Sequence, residues 1–356
     1  MALLKISEES KIYLVCPPKI ATGGPENIQI LCRTLREFGL DARIYYYPYF
    51  DGDPVHPDYK KYGNPLVDDL EDKEENVLIV PESYYMQGLL KGRYPSLLKK
   101  YKKLQKVVWW LSWDFFFVSL LPTPLFWIFG VVNKLLFRFG RIIDYYTIAK
   151  KYFSEYDIKK DKYLKLANLH LAHGYYVFYN LKDRGVENVE YLSDHLSEEF
   201  LNCVPSLSSK DRENIVLYNP RKGYNFTQKI ISKAKDIKFV PIQGMSQSQV
   251  VEVMKRAKVY IDFGNHPGKD HLPREAAICG CCVITSTNGS AAIHEDVPIP
   301  DEFKIPSKVE NIDDIVSKIR QCLENYDEEI KKFENYRKFV KEEKERFVQD
   351  VMRIFL

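Results

Sequence analysis

The sequence shows no disulfide framework and no strong charge of either sign, and no leader is expected. Its opening, MALLKISEES, lacks the long apolar core of a secretory signal, so the chain is expected to stay in the cytoplasm. The seven cysteines, Cys16, Cys32, Cys203, Cys279, Cys281, Cys282 and Cys322, are odd in number and follow no paired spacing. Three of them cluster at 279–282, but no second Cys/His pair completes a zinc-type set. They read as small apolar core residues in a reducing compartment. A net charge of +3 gives no case for a nucleic-acid partner, so any anion site must be built locally. Also missing are an internal repeat, a full GxGxxG and an Asp-x-Asp pair at a strand end. The last absence leaves no expected metal.

What is present is a chain of 356 residues, 45% hydrophobic and 28% charged, which suits a globular protein of two ordinary domains. Lys11 to Cys16 is a β-rich run, followed by Gly23-Gly24. Ile28, Leu31, Leu35 and Phe38 then recur at helical spacing up to Gly39, and Ala42 to Tyr47 reads as a second strand. Strand, glycine turn, helix and strand open a parallel α/β domain. Further strands are predicted at Asn76–Val80, Lys106–Leu111, Ala167–Ala172 and Val189–Leu192, with a helix at Tyr175–Arg184. After an irregular stretch near Ser193–Arg212 the alternation restarts. Strands are predicted at Ile215–Tyr218, Lys238–Pro241, Val259–Phe263 and Cys281–Thr285. Helices fall at Phe226–Ala234, Gln247–Ala257 and Pro273–Cys279.

Two segments depart from this rhythm. Between Val107 and Val132 the only charged side chain is Asp114. The run is long enough to span a bilayer, but Pro122-Thr123-Pro124 breaks it into halves too short to cross. With Phe115 to Phe117 before the break and Lys134, Arg138 and Arg141 after it, the segment 113–140 reads as an interfacial hairpin dipping into one leaflet. Packing of these residues in the core is the competing reading. From Glu329 onward, Ile330, Phe333, Tyr336, Val340, Phe347, Val351 and Ile354 form an apolar stripe on a helix that must bury one face.

Ligands of open parallel sheets bind at the carboxyl ends of the strands, which singles out particular loops. Gly23 and Gly24 open a helix there. Arg221 and Lys222 stand between a strand and a helix, as a diphosphate clamp requires. The loop Asp262 to Glu275 holds His266, Lys269, Arg274 and Glu275, and Thr287-Asn288-Gly289-Ser290 follows the next strand. Asp114 and His173, at strand ends of the first half, are the candidate bases, with His170 as an alternative.

The stretch YIDFGNHPGKDHLPREAAICGCCVITSTNGSAA, Tyr260 to Ala292, resembles the donor site of GT-B glycosyltransferases, particularly family 4 (group 1) enzymes of bacterial surface-polysaccharide synthesis. The resemblance implies two Rossmann-like domains facing across a cleft. An acceptor domain would cover 1–200 and a donor domain 201–328, with a helix at 329–356 returning to the first. It implies transfer from a nucleotide-sugar to a glycan, lipid-linked if segment 113–140 meets the cytoplasmic membrane surface, as in capsule or O-antigen assembly. The enzyme would then be peripheral on the inner face of that membrane. Glu275 matches the family's ribose-binding glutamate, Lys222-Gly223 its diphosphate turn and Gly23-Gly24 its N-terminal glycine loop. The implied donor set is Gly23, Gly24, Arg221, Lys222, Gly244, His266, Lys269, Arg274, Glu275, Asn288, Gly289 and Ser290. The family's first glutamate, eight positions before Glu275, is here Pro267, so His266 or Lys269 is expected to replace its contact. Two rivals are a nucleotide-sugar epimerase of the same fold and a membrane-associated scaffold with a decayed donor site.

Overall fold

The computed structural model describes residues 4–83, 97–121, 123–137 and 143–356. Pro122, Arg138 and Arg141 of the expected hairpin lie outside the described residues. The chain divides into two compact units. Unit 1 comprises 1–125, 149–194 and 345–356; unit 2 comprises 126–148 and 195–344.

Unit 1 is built on a parallel six-stranded sheet in the order β2-β1-β3-β4-β5-β6. The strands are β1 (Lys11–Cys16), β2 (Asp41–Tyr46), β3 (Val77–Pro81), β4 (Gln105–Trp110), β5 (Leu169–Ala172) and β6 (Val189–Tyr191). The four inner strands, β1, β3, β4 and β5, are almost wholly buried, as expected when both faces of a parallel sheet are covered, while the edge strands β2 and β6 are only partly so. Helix α1 (Gly23–Glu37) packs Ile28, Leu31 and Leu35 into the sheet's core. Helix α2 (Trp113–Ser119) follows β4, with Ser112 Oγ accepting the Phe115 N–H at 3.0 Å as its cap.

Phe116, Phe117 and Trp113 of α2 are buried, and the Phe116 ring lies 4.9 Å from Trp110. The first half of the expected hairpin is therefore core, because helical spacing turns these rings onto the sheet. The second half, α3 (Thr123–Phe137), differs. Leu125, Ile128, Val131 and Leu135 are exposed and recur on one face of the helix. No helix among the described residues is long and apolar enough to cross a membrane. Helix α4 (Tyr145–Tyr152) leads back to unit 1, where α5 (Tyr175–Asp183) joins β5 to β6.

Unit 2 carries a parallel sheet in the order β10-β9-β7-β8. Its elements are β7 (Glu213–Tyr218), α6 (Tyr224–Lys233), β8 (Lys238–Pro241), α7 (Gln247–Arg256), β9 (Ala257–Asp262), α8 (His271–Ile278), β10 (Cys282–Thr285) and α9 (Ile312–Glu324). All seven cysteines of the chain are free and buried.

The C-terminal stripe belongs to two helices. Helix α10 (Glu334–Lys341) is separated by Glu342 from α11 (Glu343–Phe355). Ile330, Phe333, Tyr336 and Val340 lie in the core of unit 2, while Phe347, Val351 and Phe355 lie in that of unit 1. The last helix thus returns to the N-terminal sheet, as expected, but the stripe before it serves the other core.

Replacing Phe116 with Ala should destabilise the protein by about 3–5 kcal/mol, whereas Ile128→Ala should stay within about 0.5 kcal/mol. Thermal unfolding of the two variants checks this, and equal effects would contradict the assignment of α2 to the core and of α3 to the surface.

Candidate functional site

In the sheet of unit 2, β7 pairs with both β8 and β9, so successive connections leave it in opposite directions. A crevice opens at such a switch point, outside the carboxyl ends of the strands. Here it is bounded by the turn 219–223 and the loop 263–270. Asn219 Oδ1 accepts the Arg221 N–H at 2.9 Å and shapes the turn. Gly223 ends it with φ +59°, and a Cβ there would stand 2.5 Å from Phe263 O. Only glycine permits both the left-handed backbone and this approach.

A cavity of about 260 Å³ lies in this crevice. Arg221, Lys222 and the first turn of α6 line one side; Asn265 and Asn288 line another. Tyr145 and Tyr146, from the segment 143–148, complete the wall, and Asn265 Nδ2 donates to Thr147 Oγ1 at 3.3 Å to hold that segment. Arg221 is exposed and makes no ion pair among the described residues. A guanidinium, an ammonium and the N–H groups of a helix start thus face one space, an arrangement suited to a diphosphate.

Lys222 is held by a residue that sequence reading missed. Its Nζ lies 2.7 and 2.8 Å from the two oxygens of Asp270. Burial raises the Asp270 pKa, but Lys222 and His266 outweigh it and hold the carboxyl well below its usual range. His266 is fully buried. Its Nδ1 lies 3.1 Å from Asp270 and its Nε2 3.7 Å from Asp262 Oδ1. Asp262, His266 and Asp270 bring metal-ligating atoms within 4.8 Å of one another. The imidazole turns a different nitrogen to each carboxylate, and the three side chains together form a group that could hold a cation.

Several expected donor contacts are otherwise engaged. The buried Lys269 Nζ lies 2.8 Å from Glu343 Oε1, and Arg274 Nη1 lies 2.8 Å from Glu343 Oε2. Both cations neutralise that glutamate at the start of α11. This corrects the expectation that they face a sugar donor. His266 is likewise committed to its two carboxylates. Gly289, with φ +56°, is pressed so closely on His266 O that no side chain fits. Ser290 donates its N–H to His266 O at 2.9 Å and its hydroxyl to Gly268 O at 2.6 Å. These two residues tie the loops together, leaving Asn288 at the cavity wall. Glu275, on α8 with His271 Nδ1 at 3.9 Å, and Gly244, in the turn before α7, are not part of that wall.

In unit 1 the switch point lies between β1 and β3. Gly23 and Gly24 open α1 there, and Thr22 caps it through backbone alone. His173, just past β5, is buried with Nε2 at 3.1 Å from Asp194 Oδ2 and 3.0 Å from Asn27 Nδ2. Asp114 is not an isolated desolvated carboxylate. It pairs with Lys150 Nζ at 3.1 Å and accepts the Tyr176 hydroxyl at 3.1 Å. His170 accepts the indole N–H of Trp110 at 3.1 Å, and burial lowers its pKa to about 4, which marks a structural histidine.

Glu82, unremarked in the sequence, follows β3 at the same switch point. Its Oε2 accepts the Leu111 N–H at 2.8 Å, yet full burial pushes its pKa up to about 8. A carboxyl raised above its unfolded value, about 4.3, stabilises the fold below that value and loses the benefit as pH rises toward 8. Glu82→Gln should therefore gain stability relative to the parent as pH climbs from about 5 to about 9, by at least about 1 kcal/mol. A thermal-unfolding difference that ignores pH would contradict this.

No family model and no curated protein matches the sequence. Solved structures do match in fold. HepE from Anabaena, solved with UDP-glucose, superposes with a TM-score of 0.55 at 11% identity, over 97% of this chain and 98% of that one. Sucrose-phosphate synthase from Thermosynechococcus elongatus gives 0.54 at 12%, over 98% and 95%. TarM of S. aureus gives 0.51 at 15%, and this chain covers 56% of TarM with 80% of its own length. At these identities the likeness is one of fold: the chain has the GT-B architecture of two Rossmann-like units with a terminal helix returning to the first.

Proposed function

We propose that this protein is a glycosyltransferase that takes a nucleotide-sugar, with a UDP-sugar as the leading donor class. The observation that carries the reading is the cavity at the β7/β9 switch point, where Arg221, Lys222 and the α6 N-terminus meet. In the transfer, the bond between the anomeric carbon and the diphosphate oxygen breaks as the acceptor oxygen bonds to that carbon. Negative charge grows on the departing diphosphate, and preorganised cations with helix N–H groups stabilise it most where it grows. In this reading the two side-chain cations and the helix start supply that charge, and no metal is assigned a part. The polypeptide's fold relatives include HepE, solved with UDP-glucose, which supports the donor class.

The acceptor belongs, in this proposal, to unit 1. His173, oriented by Asp194, is the candidate to receive the acceptor's proton, and Asp114 with Lys150 is the second polar pair of that unit. The acceptor is proposed to be a lipid-linked glycan of a surface polysaccharide, reached at the inner face of the cytoplasmic membrane. The exposed face of α3, Leu125, Ile128, Val131 and Leu135 with Lys134 beside it, supports this. An apolar helix face with a flanking cation suits an anionic leaflet.

Arg221→Ala and Lys222→Ala should each weaken UDP binding about 10- to 100-fold, since a charge-assisted hydrogen bond contributes about 1.5–3 kcal/mol. Calorimetry checks this, and unchanged affinity in both would contradict the reading. Flotation with anionic vesicles tests the membrane contact. Ile128→Glu with Val131→Glu should abolish flotation, and retained flotation would remove α3 from the account.

A further inference from the structure

The bond that removes His170 from base work also fixes what its ring can donate. The indole nitrogen of Trp110 can only donate, so His170 Nδ1, 3.1 Å away, is the bare nitrogen and the ring proton sits on Nε2. Burial keeps the imidazole neutral, with a pKa of about 4. The residue is only 5% exposed, yet nothing among the described residues accepts its Nε2–H. A buried donor without a protein partner calls for a ligand or an ordered water.

His170 borders a cavity of about 400 Å³ that lies wholly within unit 1. Its backbone is paired in the sheet with β4 on one side and β6 on the other, so the ring is what faces this space. The cavity sits at the amino ends of β5 and β6, the opposite end of the sheet from His173 and Asp114. Buried Ile158 and Leu164 give it an apolar floor. Lys159 and Lys165 stand at its rim and make no ion pair among the described residues. Lys159 is a placed cation. Its side chain lies across Gly185, where a Cβ would stand 2.6 Å from both Cε and Nζ, and the glycine takes φ +65°. On the same wall Asn188 holds φ +51°, in the left-handed region that most side chains avoid.

We propose that this cavity is a second ligand site, separate from the β7/β9 crevice, and that it takes a sugar phosphate. A phosphate monoester brings close to two negative charges and three acceptor oxygens at neutral pH. Two ammonium groups and a fixed imidazole N–H match it. The sugar ring lays a C–H face on Ile158 and Leu164, and its hydroxyls meet the Glu187 carboxylate and the Asn188 amide at the rim. Phosphate alone would leave most of this volume and both of those groups unused. The inference does not rest on the reading of the crevice in unit 2.

Glucose 6-phosphate is the probe, titrated into the full chain by calorimetry. It should bind with a Kd at or below about 1 mM. Inorganic phosphate lacks the ring and glucuronate lacks the second charge, so each should bind at least about tenfold more weakly. Lys159→Ala with Lys165→Ala, both at the surface, should weaken glucose 6-phosphate about tenfold. Arg221→Ala should leave that affinity unchanged. In NMR spectra of the unsubstituted protein, His170 should carry its proton on Nε2, and that signal should shift as glucose 6-phosphate saturates, which needs no buried substitution. Binding that survives in the double lysine variant, follows Arg221, or leaves the His170 signal unmoved overturns the inference, as does no binding at about 10 mM. Equal affinity for inorganic phosphate or glucuronate overturns the assigned ligand class.

Discussion

The close approach of the turn 219–223 to the loop 263–270 is the constraint on which the candidate site depends. It follows from strand order. Because β7 is flanked by β8 and β9, the loops after β7 and β9 diverge from adjacent strand ends and leave a crevice between them. Gly223 lets the backbones come within contact there, and Lys222 crosses the gap to Asp270. That ion pair joins the first loop of unit 2 to the start of α8. Without it, burial would raise the Asp270 carboxyl and leave the cavity wall without a placed ammonium.

A second ionic knot sits beyond it and does a different job. Glu343 begins the helix that leaves unit 2 for the core of unit 1, and it is buried between Lys269 and Arg274. Removing one partner of such a buried set leaves an uncompensated charge, which is strongly destabilising. The two cations beside the donor loop therefore anchor the C-terminal chain, while Arg221 and Lys222 face the cavity. Two neighbouring groups of basic residues are distinguished only by where their counter-charges lie.

The alternation of strands and helices was legible in the sequence because parallel strands buried on both faces read as continuous apolar runs. KIYLVC is β1 to the residue, and most other strands shift by one or two residues. The Arg221-Lys222 turn was singled out by position alone, since a basic pair is usually a solvated turn and only its place between a strand end and a helix start suggested more. What remained hidden depends on contacts distant in the chain. Arg274 and Glu343 are 69 residues apart, and nothing local announces their pairing. The excursion of 126–148 into unit 2, which brings Tyr145 and Tyr146 to the cavity, is equally silent. Asp270 was not singled out, because its partner Lys222 lies 48 residues away. Phe116 and Phe117 looked superficial because composition cannot say which side of a short helix meets a sheet, and the exposed face of α3 became visible only once α2 was placed.

The most direct measurement of the central claim is photoaffinity labelling with 5-azido-UDP-glucose, followed by peptide mapping. The account predicts light-dependent adducts in peptides that carry 219–229 and 263–268, suppressed by excess UDP-glucose. Adducts confined to unit 1, or to the surface formed by 327–342, with none at the β7/β9 crevice, would contradict it.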